Sequence, residues 1–170
     1  MLEQLFEIGA QYSWLAIFIA ALLDSLLLVG MFIYGTALFA VCLFLLANGL
    51  TSYEEIYFFS FFGALLGDNI GYWIAAVFDN PLDSPIIRKR YPKAINKAKY
   101  YFEKYGFWAV PIGRFTGPMR TIMPPICSML GMQYRAFLIA NVLACAIWVG
   151  VWITVLAFTN NGVSHLISVN

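Results

Sequence analysis

Long apolar stretches separated by short polar segments extend along the 170-residue chain. The first, residues 12–47, is interrupted only by Asp24. A straight crossing of the bilayer takes about 20 residues, so this stretch is too long for one span and too short for two. We therefore predict a re-entrant hairpin of two half-spans that turns near Gly30, Gly35 and Thr36, where neighbouring protein has to satisfy the exposed backbone.

The second apolar stretch, residues 56–78, is predicted to be a transmembrane helix. Thr51 and Ser52 each precede a glutamate by three residues, which is the spacing of a helix capping box, so we expect the helix to begin near Tyr53. Glycine recurs at every fourth position, which makes a flat face for close helix packing; these glycines are Gly63, Gly67 and Gly71. The face could pack inside one chain, which is the simpler interpretation, or join copies in a homo-oligomer.

A polar segment, residues 79–106, follows and is interrupted by prolines. It holds seven of the ten lysines and arginines, whereas the first 87 residues hold none. By the positive-inside rule this segment is a cytoplasmic loop. Lysines alternate with aromatic residues over 93–105, a pattern typical of a helix that lies on an anionic membrane surface.

The last two apolar stretches differ from each other in charge and proline content. Residues 107–132 contain four prolines and two arginines, so an uninterrupted helix is not expected and a second re-entrant hairpin is predicted. Residues 136–158 are uncharged and are predicted to cross the membrane. The predicted fold class is an all-α integral membrane protein, with residues 1–170 as one membrane domain. Its two oppositely oriented units, each a re-entrant hairpin plus a transmembrane helix, are joined by the basic cytoplasmic loop.

Composition supports this assignment. The chain is 62% hydrophobic and 11% charged, whereas soluble domains average about 45–50% apolar and about 25% charged residues. A cleavable export signal is not expected, because the N-terminus carries glutamates in place of basic residues. The cysteines lack the paired spacing of a metal or redox site, so we expect them to be buried and expect no cofactor; they are Cys42, Cys127 and Cys145.

Candidate chemistry centres on Asp68, Arg114 and Arg120, which lie at predicted membrane depth. An ionised side chain there costs about 2.5–3.5 kcal/mol on insertion scales, and arginine stays protonated. One interpretation is an ion pair of Asp68 with one arginine. The other is a phosphate site, because the guanidinium fork fits phosphate oxygens, with Asp68 as a proton-coupling partner. Asp24 either joins this site or lies at the mouth of the hairpin.

The five tryptophans are expected to serve as membrane packing and interface anchors; they are Trp14, Trp73, Trp108, Trp148 and Trp152. An enzyme of lipid phosphate metabolism is not favoured. The one histidine, His165, lies near the C-terminus, and Asp79 and Asp83 flank a proline in a predicted turn.

Two segments carry a family resemblance: GALLGDNIGY at residues 63–72, and GRFTGPMRTIMP at 113–124. Together they resemble the DedA family of bacterial inner-membrane proteins, which share the SNARE-associated, or VTT, domain. The resemblance implies a multi-pass protein of the inner membrane with two opposed re-entrant hairpins. It also implies a flippase that moves undecaprenyl phosphate or a related polyprenyl lipid or phospholipid, coupled to the proton-motive force. The family's functional acid maps to Asp68, and its two arginines map to Arg114 and Arg120.

One departure from the family pattern lies in the first hairpin. Many relatives carry Pro-Gly-Glu where this chain has Tyr34-Gly35-Thr36, so an expected acid is missing and Asp24 is the candidate substitute. The departure bears on proton coupling more than on lipid binding. The expected function is therefore non-enzymatic lipid transport, with membrane lipids and polyprenyl phosphate as partners and no nucleic acid. The alternative is a membrane scaffold or an ion-conducting protein that supports envelope integrity.

Overall fold

A computed structural model describes residues 11–26, 36–78, 89, 92–117 and 119–168. Within these ranges the chain is helical and forms no strand, which confirms the all-α prediction. The helices are α1 (Ser13–Ser25), α2 (Thr36–Ala47), α3 (Tyr53–Val77), α4 (Pro92–Tyr105), a 3-10 helix (Gly106–Trp108), α5 (Ala109–Arg114), α6 (Met119–Met129) and α7 (Tyr134–Ser168).

The first apolar stretch forms two short helices, α1 and α2, which pack against each other. Gly30 and Gly35, where the hairpin was expected to turn, lie outside the described residues. The re-entrant path of this stretch therefore stays a prediction.

A complete capping box begins α3. The Glu55 backbone N–H donates to Ser52 Oγ at 3.3 Å, and the Ser52 backbone N–H donates to Glu55 Oε2 at 3.1 Å. Thr51 Oγ1 donates to the same carboxylate oxygen at 2.9 Å. Because these bonds satisfy free N–H groups of the first turn, α3 begins at Tyr53, as the sequence predicts.

Replacing the cap residue should destabilise the start of α3. We expect Ser52→Ala to lower the free energy of unfolding by about 1 kcal/mol, because the Glu55 N–H loses its acceptor. Ser52→Asp keeps an acceptor and should stay close to wild type. Unfolding in detergent micelles measures both variants, and equal losses in the two would contradict the capping role.

The glycine face of α3 packs inside the chain. A Cβ atom on Gly63 would lie 2.5 Å from the Phe18 carbonyl oxygen, and one on Gly67 would lie 2.7 Å from Ser25 Cβ. Both contacts are made with α1, and Gly71 faces prolines of α6. The structure therefore agrees with the interpretation of packing within one chain. A homo-oligomer stays a prediction, and it would need another surface because these glycines are covered.

Helix α4 lies in the predicted basic loop and packs on the protein with its apolar side. Ile95 and Ala98 are buried in one core with residues of α5 and α6. This packing differs from a helix that rests its apolar side on the bilayer. Lysines line the exposed side, where the Lys104 ammonium lies 5.6 Å from the centroid of the Tyr100 ring. Hydrogen bonds to the neighbouring Tyr100 and Tyr105 side chains raise the pKa of this exposed lysine.

The third apolar stretch is interrupted, as its prolines and glycines predict. Helix α5 ends at Arg114, and α6 begins at Met119 and contains Pro124 and Pro125. Gly117 between them has φ +49°, in the left-handed region that glycine adopts most readily. The two short helices pack on each other, and α6 also packs on α3.

Helix α7 joins the two halves of the molecule. It contributes to one core with α4, α5 and α6, and to a second core with α1 and α2. Residues 134–160 of α7 are the one segment in the described part of the chain that is both long and apolar enough to cross a membrane by length and composition. Helix α3, at 25 residues, is about 37 Å long, but Asp68 interrupts its apolar character.

Candidate functional site

Four charged residues from four helices form two ion pairs. The Arg114 guanidinium, at the end of α5, pairs with the Asp68 carboxylate in the middle of α3. Arg120, in the first turn of α6, pairs with the Asp24 carboxylate near the end of α1. Arg120 Nη2 also donates to the Asp24 backbone carbonyl oxygen at 2.7 Å. An acid therefore partners each arginine, and Asp24 is part of the site.

These charges are shielded from solvent. The side chains of Asp24, Asp68 and Arg114 are 2%, 3% and 4% exposed, whereas that of Arg120 is 11% exposed. Removing two charges from water carries a large cost that mutual attraction offsets only when both partners are present. Arg120 is the member of the network that is most accessible from outside.

The break between α5 and α6 brings the two arginines to one place. Arg114 is the last residue of α5, and Arg120 follows the left-handed turn at Gly117. Gly113 allows the two helices to approach, because a Cβ atom there would lie 2.8 Å from the terminal methyl of Met123. The glycines and the proline-rich sequence thus shape the turn that carries both guanidinium groups.

An indole ring connects the two arginines. The guanidinium carbons of Arg114 and Arg120 each lie 5.1 Å from the centroid of the Trp148 ring. This distance lies within the range of a cation–π contact, and it keeps the two carbons no more than twice that distance apart. The expectation that Trp148 is a packing or interface residue missed this contact.

One face of α7 completes the site. Asn141, Cys145 and Trp148 follow one another at intervals of four and three, which places them on one side of a helix. Cys145 Sγ lies 3.8 Å from Asp68 Oδ2 and 3.6 Å from Asn141 Oδ1. The sequence signal that could have identified this face is the amide of Asn141 within the uncharged apolar stretch at residues 136–158, and the structure buries this side chain.

Some polar atoms of the site have no hydrogen-bond partner among the described residues. They are one carboxylate oxygen of Asp24, Nε of Arg114 and the amide nitrogen of Asn141. Buried polar atoms are usually paired, so the site retains capacity for one further donor, at Asp24, and for two further acceptors, at Arg114 and Asn141. This capacity distinguishes it from a fully satisfied structural ion pair.

The other residues that the sequence singled out lie apart from this site or outside the described residues. All three cysteines are buried free thiols, as expected, and of these only Cys145 lies in the site. In the part of the chain that the structure describes, no group of three His, Cys, Asp or Glu side chains is placed to hold a metal ion. Asp79, Asp83 and the side chain of His165 lie outside the described residues.

The site thus lies in an all-helical chain with long apolar stretches, where the arginines of an interrupted segment pair with acids of two other helices. The VTT domain matches residues 24–158 of the chain. The chain therefore belongs to the VTT-domain, or DedA, family, which confirms the resemblance seen in its sequence.

The chain is similar in sequence to bacterial membrane proteins. The inner membrane protein YabI of Escherichia coli is 29% identical over 148 residues, which are 87% of this chain and 58% of YabI. A membrane protein of Buchnera aphidicola subsp. Acyrthosiphon pisum is 31% identical over 137 residues, 81% of this chain and 54% of that protein. The DedA protein of Escherichia coli is 32% identical over 90 residues, 51% of this chain and 40% of DedA. This chain thus spans less than two thirds of each relative, and no solved structure matches it.

Proposed function

We propose that the chain is a lipid transporter that moves undecaprenyl phosphate, or a related polyprenyl phosphate or phospholipid, across the bacterial inner membrane. The observation that carries this proposal is the pair of shielded arginines around Trp148, at the break between α5 and α6. In the proposed role the arginines would bind the phosphate group and release it unchanged, so the lipid is moved and not converted.

Phosphate binding would occur by exchange of ligands on the arginines. Each guanidinium is neutralised by one carboxylate in the closed network. A phosphate monoester offers several oxygens and fits the guanidinium fork with two parallel hydrogen bonds. Arg120, which is the more exposed arginine, would exchange first, and the unpaired Nε of Arg114 offers a further donor.

Proton coupling would follow from the same exchange. A carboxylate displaced from its arginine in a buried site is costly unless it takes up a proton. Asp24 and Asp68 are the two groups that this mechanism would protonate as the phosphate arrives. Release of the lipid on the other side would then release the protons that the two carboxyl groups had taken up and restore the two ion pairs.

The proposed arrangement in the membrane follows the distribution of charge. The basic segment at residues 79–106 would face the cytoplasm, and the exposed lysines of α4 would lie near anionic headgroups. The two interrupted segments would be oppositely oriented re-entrant hairpins, and α3 and α7 would cross the bilayer. The lipid tail would stay in the hydrocarbon while the headgroup occupies the arginine site.

A scaffold or an ion-conducting protein is the competing proposal. The observation that favours it is that each arginine already has an acidic partner within the chain, so the network is close to neutral without a ligand. A scaffold would need its ion pairs for folding but would not distinguish between lipids with and without a phosphate.

Charge-conserving variants test the transport proposal in proteoliposomes that contain fluorescent undecaprenyl phosphate. We expect wild-type protein to move the lipid faster than empty vesicles do. Arg114→Lys and Arg120→Lys keep the charge but lose the fork, and transport should fall about ten-fold, which corresponds to the loss of one charge-assisted hydrogen bond. Arg135, an exposed arginine at the start of α7, supplies the control; Arg135→Lys should stay within about two-fold of wild type.

Other outcomes of this assay would replace the proposal. Transfer equal to that of empty vesicles, or unchanged transfer in both lysine variants, would favour the scaffold. A conductance that does not depend on the lipid would favour the ion-conducting protein. Release of inorganic phosphate from the lipid by the purified protein would indicate an enzyme.

A further inference from the structure

We infer that Trp148 is a positioning residue of the phosphate site, which keeps both guanidinium groups against one ring while their anionic partners change. This inference rests on the proposed function. The two ion pairs fix the arginines only while the carboxylates are bound, so another contact has to hold the arginines during exchange. The structural observation is that one indole ring contacts both Arg114 and Arg120, each at 5.1 Å from the ring centroid.

The ion pairs fix the arginines only in the closed network. Asp68 on α3 pairs with Arg114, and Asp24 on α1 pairs with Arg120. When a lipid phosphate replaces the carboxylates, each arginine loses the partner that fixes its position. A guanidinium group free to change rotamer would then have to be ordered again on binding, at a cost in side-chain entropy.

The contact with Trp148 does not depend on the anion. A cation–π contact uses the face of the guanidinium plane, whereas hydrogen bonds to carboxylate or phosphate use the N–H groups at its edge. Arg114 and Arg120 can therefore keep Trp148 as a neighbour before and after exchange. Tryptophan gives the strongest such contact of the aromatic side chains.

Trp148 is itself held in place from the other half of the molecule. Its ring stacks on Trp152, one turn further along α7, with centroids 6.0 Å apart and planes 25° from parallel. Trp152 in turn meets Phe39 of α2 edge to face, at 5.8 Å and 89°. This aromatic series connects α2 to the two arginines, and its ring contacts restrict the positions that the indole can take.

The test measures initial transport rate against lipid concentration in the same proteoliposomes. The variants are Trp148→Phe, which keeps an aromatic face, and Trp148→Leu, which keeps only apolar bulk. Trp108→Leu is the matched control, because Trp108 is 60% exposed and lies in the 3-10 helix. The melting temperature of each variant in detergent is recorded alongside.

We expect the half-saturating lipid concentration to rise about three-fold in Trp148→Phe and about ten-fold in Trp148→Leu, in the order of cation–π strength. The maximal rate should change less, and Trp108→Leu should behave like wild type. A purely structural role would lower both melting temperatures while leaving the half-saturating concentration unchanged. If Trp148→Leu does not yield folded protein, the three-fold shift in Trp148→Phe decides the question.

The experiment distinguishes failure of the proposed transport function from failure of the proposed role of Trp148. A wild-type protein that moves no lipid removes the proposed transport function and, with it, the role of Trp148. A wild-type protein that transports, with unchanged half-saturation in both Trp148 variants, overturns this inference alone. Equal shifts in Trp148→Phe and Trp148→Leu would also overturn it, because the aromatic face would then contribute nothing.

Discussion

Arg114→Met should lower the free energy of unfolding by about 3–5 kcal/mol, the largest loss that we expect from a single substitution in this chain. The variant leaves the Asp68 carboxylate buried at 3% exposure with its main counter-charge removed. Methionine fills much of the arginine volume, so the loss reports the stranded charge more than a cavity. Titration with denaturant in detergent micelles measures it.

A double variant separates the stranded charge from other effects of the substitution. Asp68→Asn together with Arg114→Met removes both charges and keeps side chains of similar size, so it should recover at least half of the loss. Arg135→Met, on the exposed side of α7, should change stability by less than about 0.5 kcal/mol. Additive losses in the double variant would show that the two residues do not act as a pair.

The same double variant bears on function. A folded protein that lacks Arg114 still lacks a guanidinium for the phosphate, so it should not transport lipid even though stability has recovered. A scaffold, in contrast, should keep whatever function depends on its fold. Stability and transport therefore need to be measured on the same preparation of the variant.

Local features of the fold could be predicted because neighbouring residues determine them. The capping box of Ser52 and Glu55 is complete within four positions, so the start of α3 followed from the sequence. The break between α5 and α6 follows similarly from prolines and glycines that disfavour a continuous helix. The unusual cost of an arginine at membrane depth identified Arg114 and Arg120 as candidates without knowledge of their neighbours.

Pairing between distant segments could not be predicted in the same way. Asp24 and Arg120 are 96 positions apart, and nothing local distinguishes an acid at the mouth of a hairpin from one in the site. Trp148 is similar, because an amphipathic indole suits the membrane interface and a cation–π contact equally well. Which face of α7 meets the arginines depends on how all the helices pack together.

The contact made by the glycines of α3 could be predicted only in part. Their spacing predicted a close helix contact but did not identify the partner, which is α1 for Gly63 and Gly67. The contact also bears on the site, since Gly67 faces Ser25, the residue after Asp24. The separation of α1 and α3 therefore sets where the Asp24 carboxylate lies relative to Arg120.

Alanine at either of the first two glycines should force α1 and α3 apart. A Cβ atom on Gly63 would lie 2.5 Å from a backbone oxygen of α1, and one on Gly67 would lie 2.9 Å from the Leu22 carbonyl oxygen. Backbone cannot rotate away as a side chain can, so we expect each substitution to lower the free energy of unfolding by about 1–3 kcal/mol. Denaturant titration in micelles measures the change.

Two other helical glycines, Gly71 and Gly150, supply graded controls for this prediction. Gly71→Ala would place its Cβ atom 3.6 Å from Pro124, an ordinary van der Waals distance, and Gly150 has no neighbour within 4 Å. Both substitutions should be neutral or stabilising, by up to about 1 kcal/mol, because alanine favours the helix over glycine. Losses that are equal at Gly63, Gly71 and Gly150 would contradict close α1–α3 packing. A loss confined to Gly63 and Gly67, together with weaker transport, would tie the position of Asp24 to that contact.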